Sequence, residues 1–128
     1  MKINVVESVL KANDAVARAN RERMDAAGVL AVNLVLVGDL QTARDAGRLG
    51  PVAAEVTQIN TGRGCHLSAP QVSEGLASLS LDRIDYLFIE NVGNMVCPAA
   101  HDLGEHRRAV LLSVPEGDDK VAKYPTLF

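Results

Sequence analysis

The stretch Val29 to Val37 is continuously apolar except at Asn33. A run of that length without charge reads as a strand buried on both faces of a parallel sheet. Ahead of it, Asn4 to Ala27 has helical periodicity. Val5, Val9, Ala12 and Val16 recur at three- and four-residue spacing, with Lys11, Asp14, Arg18, Arg21 and Glu22 on the other side. Asn4 is a fair N-cap with Glu7 three positions on, and Gly28 is a natural stop. The sparse apolar stripe places this helix on the outside. Val56–Ile59, Ile84–Ile89 and Ala109–Val114 read as further strands, and Thr42–Leu49 and Ser68–Leu79 as helices. Thr42 with Asp45 and Ser68 with Gln71 have capping-box spacing, and Pro70 falls in a first turn. Alternating strands and helices predict an α/β fold, a mostly parallel sheet flanked by helices. The expected organisation is one domain, residues 1–128, with an N-terminal helix (1–28) and an α/β core (29–128).

Composition removes several functions. Aromatic residues are 3% of the chain, there is no Trp, and the net charge is −3, so no nucleic-acid surface is expected. No apolar run reaches the roughly 18 residues of a membrane helix, and the Met1 segment lacks a signal-peptide core. The expected location is cytoplasmic. There, two cysteines are thiols or metal ligands more readily than a disulfide framework.

In such sheets ligands bind beyond the carboxyl ends of the strands. Polar residues cluster there, at 38–39, 61–66, 90–94 and 116–120. Cys65, His66 and Cys97 are donors suited to zinc or nickel, and Gly62 and Gly64 let their loop turn sharply. Three ligands leave a tetrahedral ion one short, to be filled by water, substrate or a second chain across a two-fold axis. The plainer alternative is a buried Cys97 and a solvated His66. Asp39 and Glu90 end apolar strands and suit magnesium with phosphate oxygens, ordinary solvated acids being the alternative. His101, His106 and Arg107-Arg108 read as a solvated polar face, with extra ligands or anion contacts as the sharper option. No G-x-x-x-x-G-K-S/T phosphate loop is present.

The blocks QINTGRGCHLSAPQV, LFIENVGNMVCPAAHDLGEH and LLSVPEGDDKVAKYPTLF, preceded by VLKANDAVARANRERMDAAGVLAVNL and VGDLQTARDAGRL, together resemble the HypB family. These are the nickel-incorporation GTPases of nickel–iron hydrogenase maturation. The resemblance implies a P-loop GTPase sheet, with GTP and magnesium as cofactors and hydrogenase-maturation proteins as partners. It also implies a homodimer dependent on metal or nucleotide. Cys65, His66 and Cys97 would be the ligands of nickel or zinc, Asp39 would fall in the first switch region, and Glu90 and Gly93 in the magnesium- and γ-phosphate-sensing motif. The chain departs from the pattern after Leu34, where it skips a β–α unit carrying the Walker A loop, so that Val29–Val37 fuses two family strands. It also ends before the family's guanine-reading segment and has no metal-rich N-terminal extension. The expectation is therefore an incomplete sheet with exposed apolar faces, and weak or absent GTP hydrolysis.

Overall fold

The computed structural model describes residues 5–37 and 43–128. Helix α1 (Val5–Ala27) ends at Gly28, whose φ of +72° lets the Val29 N–H donate back to the Met24 carbonyl at 3.0 Å. Strand β1 (Leu30–Leu36) follows, then α2 (Ala43–Leu49) and α3 (Ala69–Ala77). Strand β2 (Tyr86–Asn91), the one-turn α4 (Cys97–Ala100), β3 (Arg107–Leu111) and the short α5 (Lys120–Lys123) complete the order. The strands form one parallel sheet in the order β2-β1-β3, with Leu30 opposite Tyr86 and Val32 opposite Arg107. The Asn4 cap and the Thr42 capping box lie outside the described residues. At α3 the Gln71 side chain does reach back, accepting from the Ser68 N–H at 2.9 Å.

Residues 56–59, expected as a strand, are not paired into the sheet. They run along α3 instead. Ile59 packs on the core, Thr57 Oγ1 lies 2.8 Å from Ser78 Oγ, and a Cβ on Gly75 would come within 3.0 Å of Ile59 Cδ1. Gly75 thus leaves room for a chain lying against the helix rather than beside a strand. The other two strands begin two residues away from the sequence reading, which expected Ile84–Ile89 and Ala109–Val114. A 3-10 turn at Leu81–Arg83 delays β2, and β1 offers no partner beyond Leu36 for a longer β3.

Burial of β1 on both faces is likewise corrected. Ala31, Asn33 and Val35 are fully buried, and with Ile89, Asn91 and Val110 they form the face covered by helices. Met24, Val72, Leu76 and Leu103 pack over one half of it. Leu127, Met95 and Ala99 cover the other half. On the opposite face Tyr86, Phe88 and Leu111 are 64%, 63% and 67% exposed, and among the described residues nothing covers them. A parallel sheet is ordinarily clad on both sides, so this open face agrees with a missing β–α layer.

The stripe read on α1 does not face the core either. Val9 and Ala12 are exposed, and the buried line is Asn13, Ala17, Asn20 and Met24. The reason is polar. Asn13 donates to the Asp102 carbonyl at 2.7 Å and accepts from the Ala69 N–H at 2.8 Å. Asn20 donates to the carbonyls of Ala69 and Leu103, and Arg21 Nε to that of Gly104 at 2.8 Å. The first residue of α3 and the irregular stretch before β3 therefore lie against the helix, and their buried groups need partners that apolar side chains do not supply. The approach is closest at Gly104, which has φ +93°. A Cβ there would sit 2.4 Å from the Ala17 carbonyl oxygen.

Gly104→Ala is accordingly expected to cost about 3 kcal/mol or more, through left-handed strain and a backbone clash together. Urea unfolding of the variant beside the parent measures it, and a loss under about 0.5 kcal/mol, the level of an ordinary surface change, would contradict the packing.

Candidate metal centre

Two segments meet at the end of the sheet. In the first, Gly62 adopts φ +60° with its N–H on Asn60 Oδ1, and the Gly64 N–H donates to the Thr61 carbonyl at 2.9 Å. These turns swing Cys65 and His66 outward, while buried Leu67 anchors the chain through its N–H to Asn91 Oδ1 at 3.0 Å. In the second, Cys97 opens α4. Asn94 Oδ1 accepts from the Val96 and Cys97 N–H groups at 3.1 and 3.0 Å, and Pro98 occupies a first-turn position that needs no donor. The other end of the Asn94 amide donates to the Cys65 carbonyl, so one side chain joins both segments.

Cys65 Sγ and Cys97 Sγ are 2.8 Å apart, and His66 Nδ1 lies 3.4 Å from Cys65 Sγ. One donor atom from each of the three residues falls within 4.8 Å of the others, and both cysteines are free thiols. The hydrogen bond to Cys65, then burial, pushes the Cys97 thiol above its ordinary value. A metal ion binding there would displace the Cys97 proton. Burial, followed by the charge of His101, lowers His66, which favours the neutral imidazole that ligates. Two thiols and an imidazole fit a borderline ion such as nickel or zinc.

The buried amides behind this site form a continuous chain. Asn91 Nδ2 donates to Asn33 Oδ1 at 3.4 Å, and Asn33 Nδ2 to Glu105 Oε1 at 3.1 Å. Arg108 donates to the same carboxylate at 2.9 Å and to the Ala99 carbonyl of α4 at 3.3 Å. Burial opposes ionisation of Glu105, but donors from Asn33, the Leu103 N–H and Arg108 outweigh it and hold the carboxyl below its ordinary range.

The remaining sequence candidates separate. Asp39 lies outside the described residues. Glu90 points to the open side of the sheet and lines a cavity of about 300 Å³ with Asp45, Arg48 and Leu49. It is not one of the three grouped donors. Gly93 sits in the loop joining β2 to α4. His106, read as solvated, accepts the Ala31 N–H on Nδ1 at 3.0 Å and donates from Nε2 to Asp25 at 2.7 Å, pinning β3 to β1 and α1. Arg108 belongs to the buried network rather than to a polar surface. His101 stacks on His66 with ring centroids 3.7 Å apart. Glu105 went unread, and Asn94 was read only as part of the polar cluster at 90–94. Asn33, the one polar residue in an apolar strand, was the only signal for the network.

A parallel α/β sheet with a thiol–imidazole group at its end defines an α/β domain with a candidate metal centre. The model of the CobW/HypB/UreG nucleotide-binding domain matches residues 13–109. HypB, the hydrogenase/urease maturation factor of Helicobacter hepaticus, is 42% identical, with 98% of this chain and 64% of that protein covered. HypB of Rhizobium leguminosarum bv. viciae is 41% identical, covering 98% and 51%. The crystal structure of Helicobacter pylori HypB in complex with nickel superposes with a TM-score of 0.82 at 39% identity, covering 91% of this chain and 67% of that one. The chain belongs to the CobW/HypB/UreG family, on its HypB branch. It spans about half to two thirds of the length of the curated relatives. The Helicobacter hepaticus alignment runs over 154 positions, while 98% of these 128 residues is about 125, so about 29 positions have no counterpart here. That is on the order of one β–α unit, roughly 30 residues.

Because Glu105 ionises more easily folded than unfolded, its stabilisation is present above the unfolded value of about 4.3 and is lost as pH falls through the folded one. Stability measured by urea unfolding from pH 6 to pH 3 should fall more steeply in the parent than in Glu105→Gln. Asp102, pushed upward first by burial and also by Glu105, titrates in both chains, and only the part owed to Glu105 is lost in the variant. Equal slopes would show that the carboxylate is not held this way.

Proposed function

We propose that this chain is a HypB-type maturation factor that holds a nickel ion, with zinc as a competitor, on Cys65, His66 and Cys97 for insertion into nickel–iron hydrogenase. The observation that carries the proposal is the 2.8 Å approach of two free thiols from segments 32 residues apart, with His66 beside them. The nickel complex of the Helicobacter pylori relative, 39% identical, supports the choice of ion. By family resemblance GTP and magnesium would engage Asp39, Glu90 and Gly93. Hydrogenase-maturation proteins would receive the ion. No helix among the described residues is long and apolar enough to cross a membrane, in keeping with a cytoplasmic site of action. Self-association takes one of two forms: coupled to nucleotide, or through an ion shared between copies.

A second reading is a non-enzymatic metal-binding dimerisation module. One observation favours it. Strand β1 passes uninterrupted through Leu34 and Val35, paired on both sides, at the point where the family enters its phosphate loop. Without that loop's N–H groups and lysine, much of the charge stabilisation for phosphoryl transfer is missing.

Two outcomes test these readings. Nickel titration of the reduced chain should show about one ion per chain, and stoichiometric binding should vanish in Cys65→Ala/Cys97→Ala; full binding by that variant would place the ion elsewhere. GTP hydrolysis should be at least about 10²-fold slower than in a version with a Walker A unit inserted after Leu34, since a single lost donor already costs that much. Equal turnover by the two would overturn the second reading.

A further inference from the structure

One face of the sheet is left uncovered among the described residues, and its two edges complement each other. We propose that this face is a contact surface for a second copy of the chain, the two sheets stacking about a two-fold axis that runs along the strands. The contact needs neither metal nor nucleotide. It is separate from the nucleotide- or ion-coupled association proposed above and does not rest on the metal-binding reading.

The first argument is what the face is made of. Successive strand residues point to opposite faces. On the open side β2 carries Tyr86, Phe88 and Glu90, and β3 carries Arg107, Ala109 and Leu111. Between them run Leu30, Val32, Leu34 and Leu36 of β1. The centre is thus apolar, Tyr86, Phe88 and Leu111 are largely exposed, and the two charges stand on opposite edges. A parallel sheet is ordinarily clad on both faces, and contiguous exposed apolar surface marks a contact site.

The second argument is the register, which selects the occupant. Val32 lies opposite Phe88 on one side and opposite Arg107 on the other. The ring and the guanidinium therefore stand at the same level on the two outer strands. A two-fold axis along β1 keeps each residue's level and exchanges the edges. It sets Phe88 over Arg107 of the second copy and Arg107 over that copy's Phe88, so a cation–ring contact forms twice. Glu90, level with Ala109 through Leu34, comes one row away from the same guanidinium. An axis across the strands lays each edge on itself instead. Placed at the level of Val32 or Leu34, it brings Arg107 against Arg107 or Glu90 against Glu90. An unrelated helix would fill the apolar centre but leave the matched edges unused. Strand directions agreeing within about 30° are also the ordinary geometry of stacked sheets.

The third argument is area, which sets the strength. Three strands about 4.8 Å apart and about 23 Å long span roughly 330 Å² per copy, about 700 Å² for the pair. Leu49, exposed beside Glu90, extends the rim. Stable dimers bury about 1,200 Å² or more. The contact is therefore weak, with a dissociation constant on the order of 100 µM.

The experiment is sedimentation equilibrium of the reduced, chelator-treated, nucleotide-free 128-residue chain from about 10 µM to about 1 mM, a range centred on that constant. The expected result is a reversible equilibrium that stops at the dimer. Phe88→Lys sets a cation against the second copy's Arg107, and Arg107→Glu removes the attraction for the ring. Each change acts twice per dimer and should weaken association about tenfold or more. Combined in one chain, the two oppose unlike charges across the axis and should recover most of the loss. In a mixture of isotope-labelled and unlabelled parent chains, filtered NOEs between the Phe88 ring and the Arg107 side chain read the same contact without any substitution. A monomer across the whole range, assembly that grows past the dimer, or single variants that associate as the parent does would overturn the proposal. So would a double variant no tighter than the single ones, or a dimeric parent that shows no such NOE. Each of these results leaves the nickel titration of Cys65 and Cys97 as it was.

Discussion

The side-chain amide of Asn33, sealed at the centre of the sheet with none of its surface open, is the contact on which the site depends. On one side it receives Asn91, whose oxygen holds the loop of Cys65 and His66 through the Leu67 N–H. On the other it donates to Glu105, which with Arg108 reaches the helix of Cys97 through the Ala99 carbonyl. The two ligand-bearing segments are thus tied to one central strand from opposite edges. The links through Asn33, Asn91 and Leu67 are buried and those of Arg108 partly so. Losing a partner of a buried link strands a polar group at about 1–3 kcal/mol. That cost makes the arrangement all-or-none and holds two thiols within contact distance without a covalent bond.

Helix α1 extends the same logic to the outer layer. A helix lying on a core normally presents an apolar stripe, but here Asn13, Asn20 and Arg21 face inward and satisfy backbone at 69 and 102–105. Ala69 opens α3 and 102–105 precede β3, so α1 positions both. The close fit at Gly104 leaves no room for any side chain. Polar satisfaction on this side of the sheet contrasts with the other side, where Tyr86, Phe88 and Leu111 face solvent. A chain lacking about 29 aligned positions relative to its Helicobacter hepaticus relative keeps the half of the fold that carries the thiols.

Much of this was legible in the residues. The parallel α/β class followed from alternating apolar runs and caps. The grouping of Cys65, His66 and Cys97 was anticipated from strand ends, although 56–59 is no strand and the loop of Cys65 reaches the sheet through the Leu67 N–H on Asn91 instead. The failures share one cause. The stripe on α1 was read from Val5, Val9, Ala12 and Val16, because periodicity counts apolar residues and does not register a buried asparagine that serves distant backbone. Residues 56–59 were read as a strand because so short a segment, apolar only at Val56 and Ile59, carries no evidence of its partner. Burial of β1 on both faces assumed a complete sheet. Glu105 and Asn94 act through tertiary partners 72 and 29 residues away, which no local pattern reveals.

The central claim is that the fold delivers sulfur and imidazole donors together to one ion. X-ray absorption at the nickel edge of the reduced, stoichiometrically loaded chain tests it directly. The account predicts sulfur scattering in the first shell together with the outer-shell pattern of imidazole. A first shell of oxygen and nitrogen alone, with no sulfur, would contradict it.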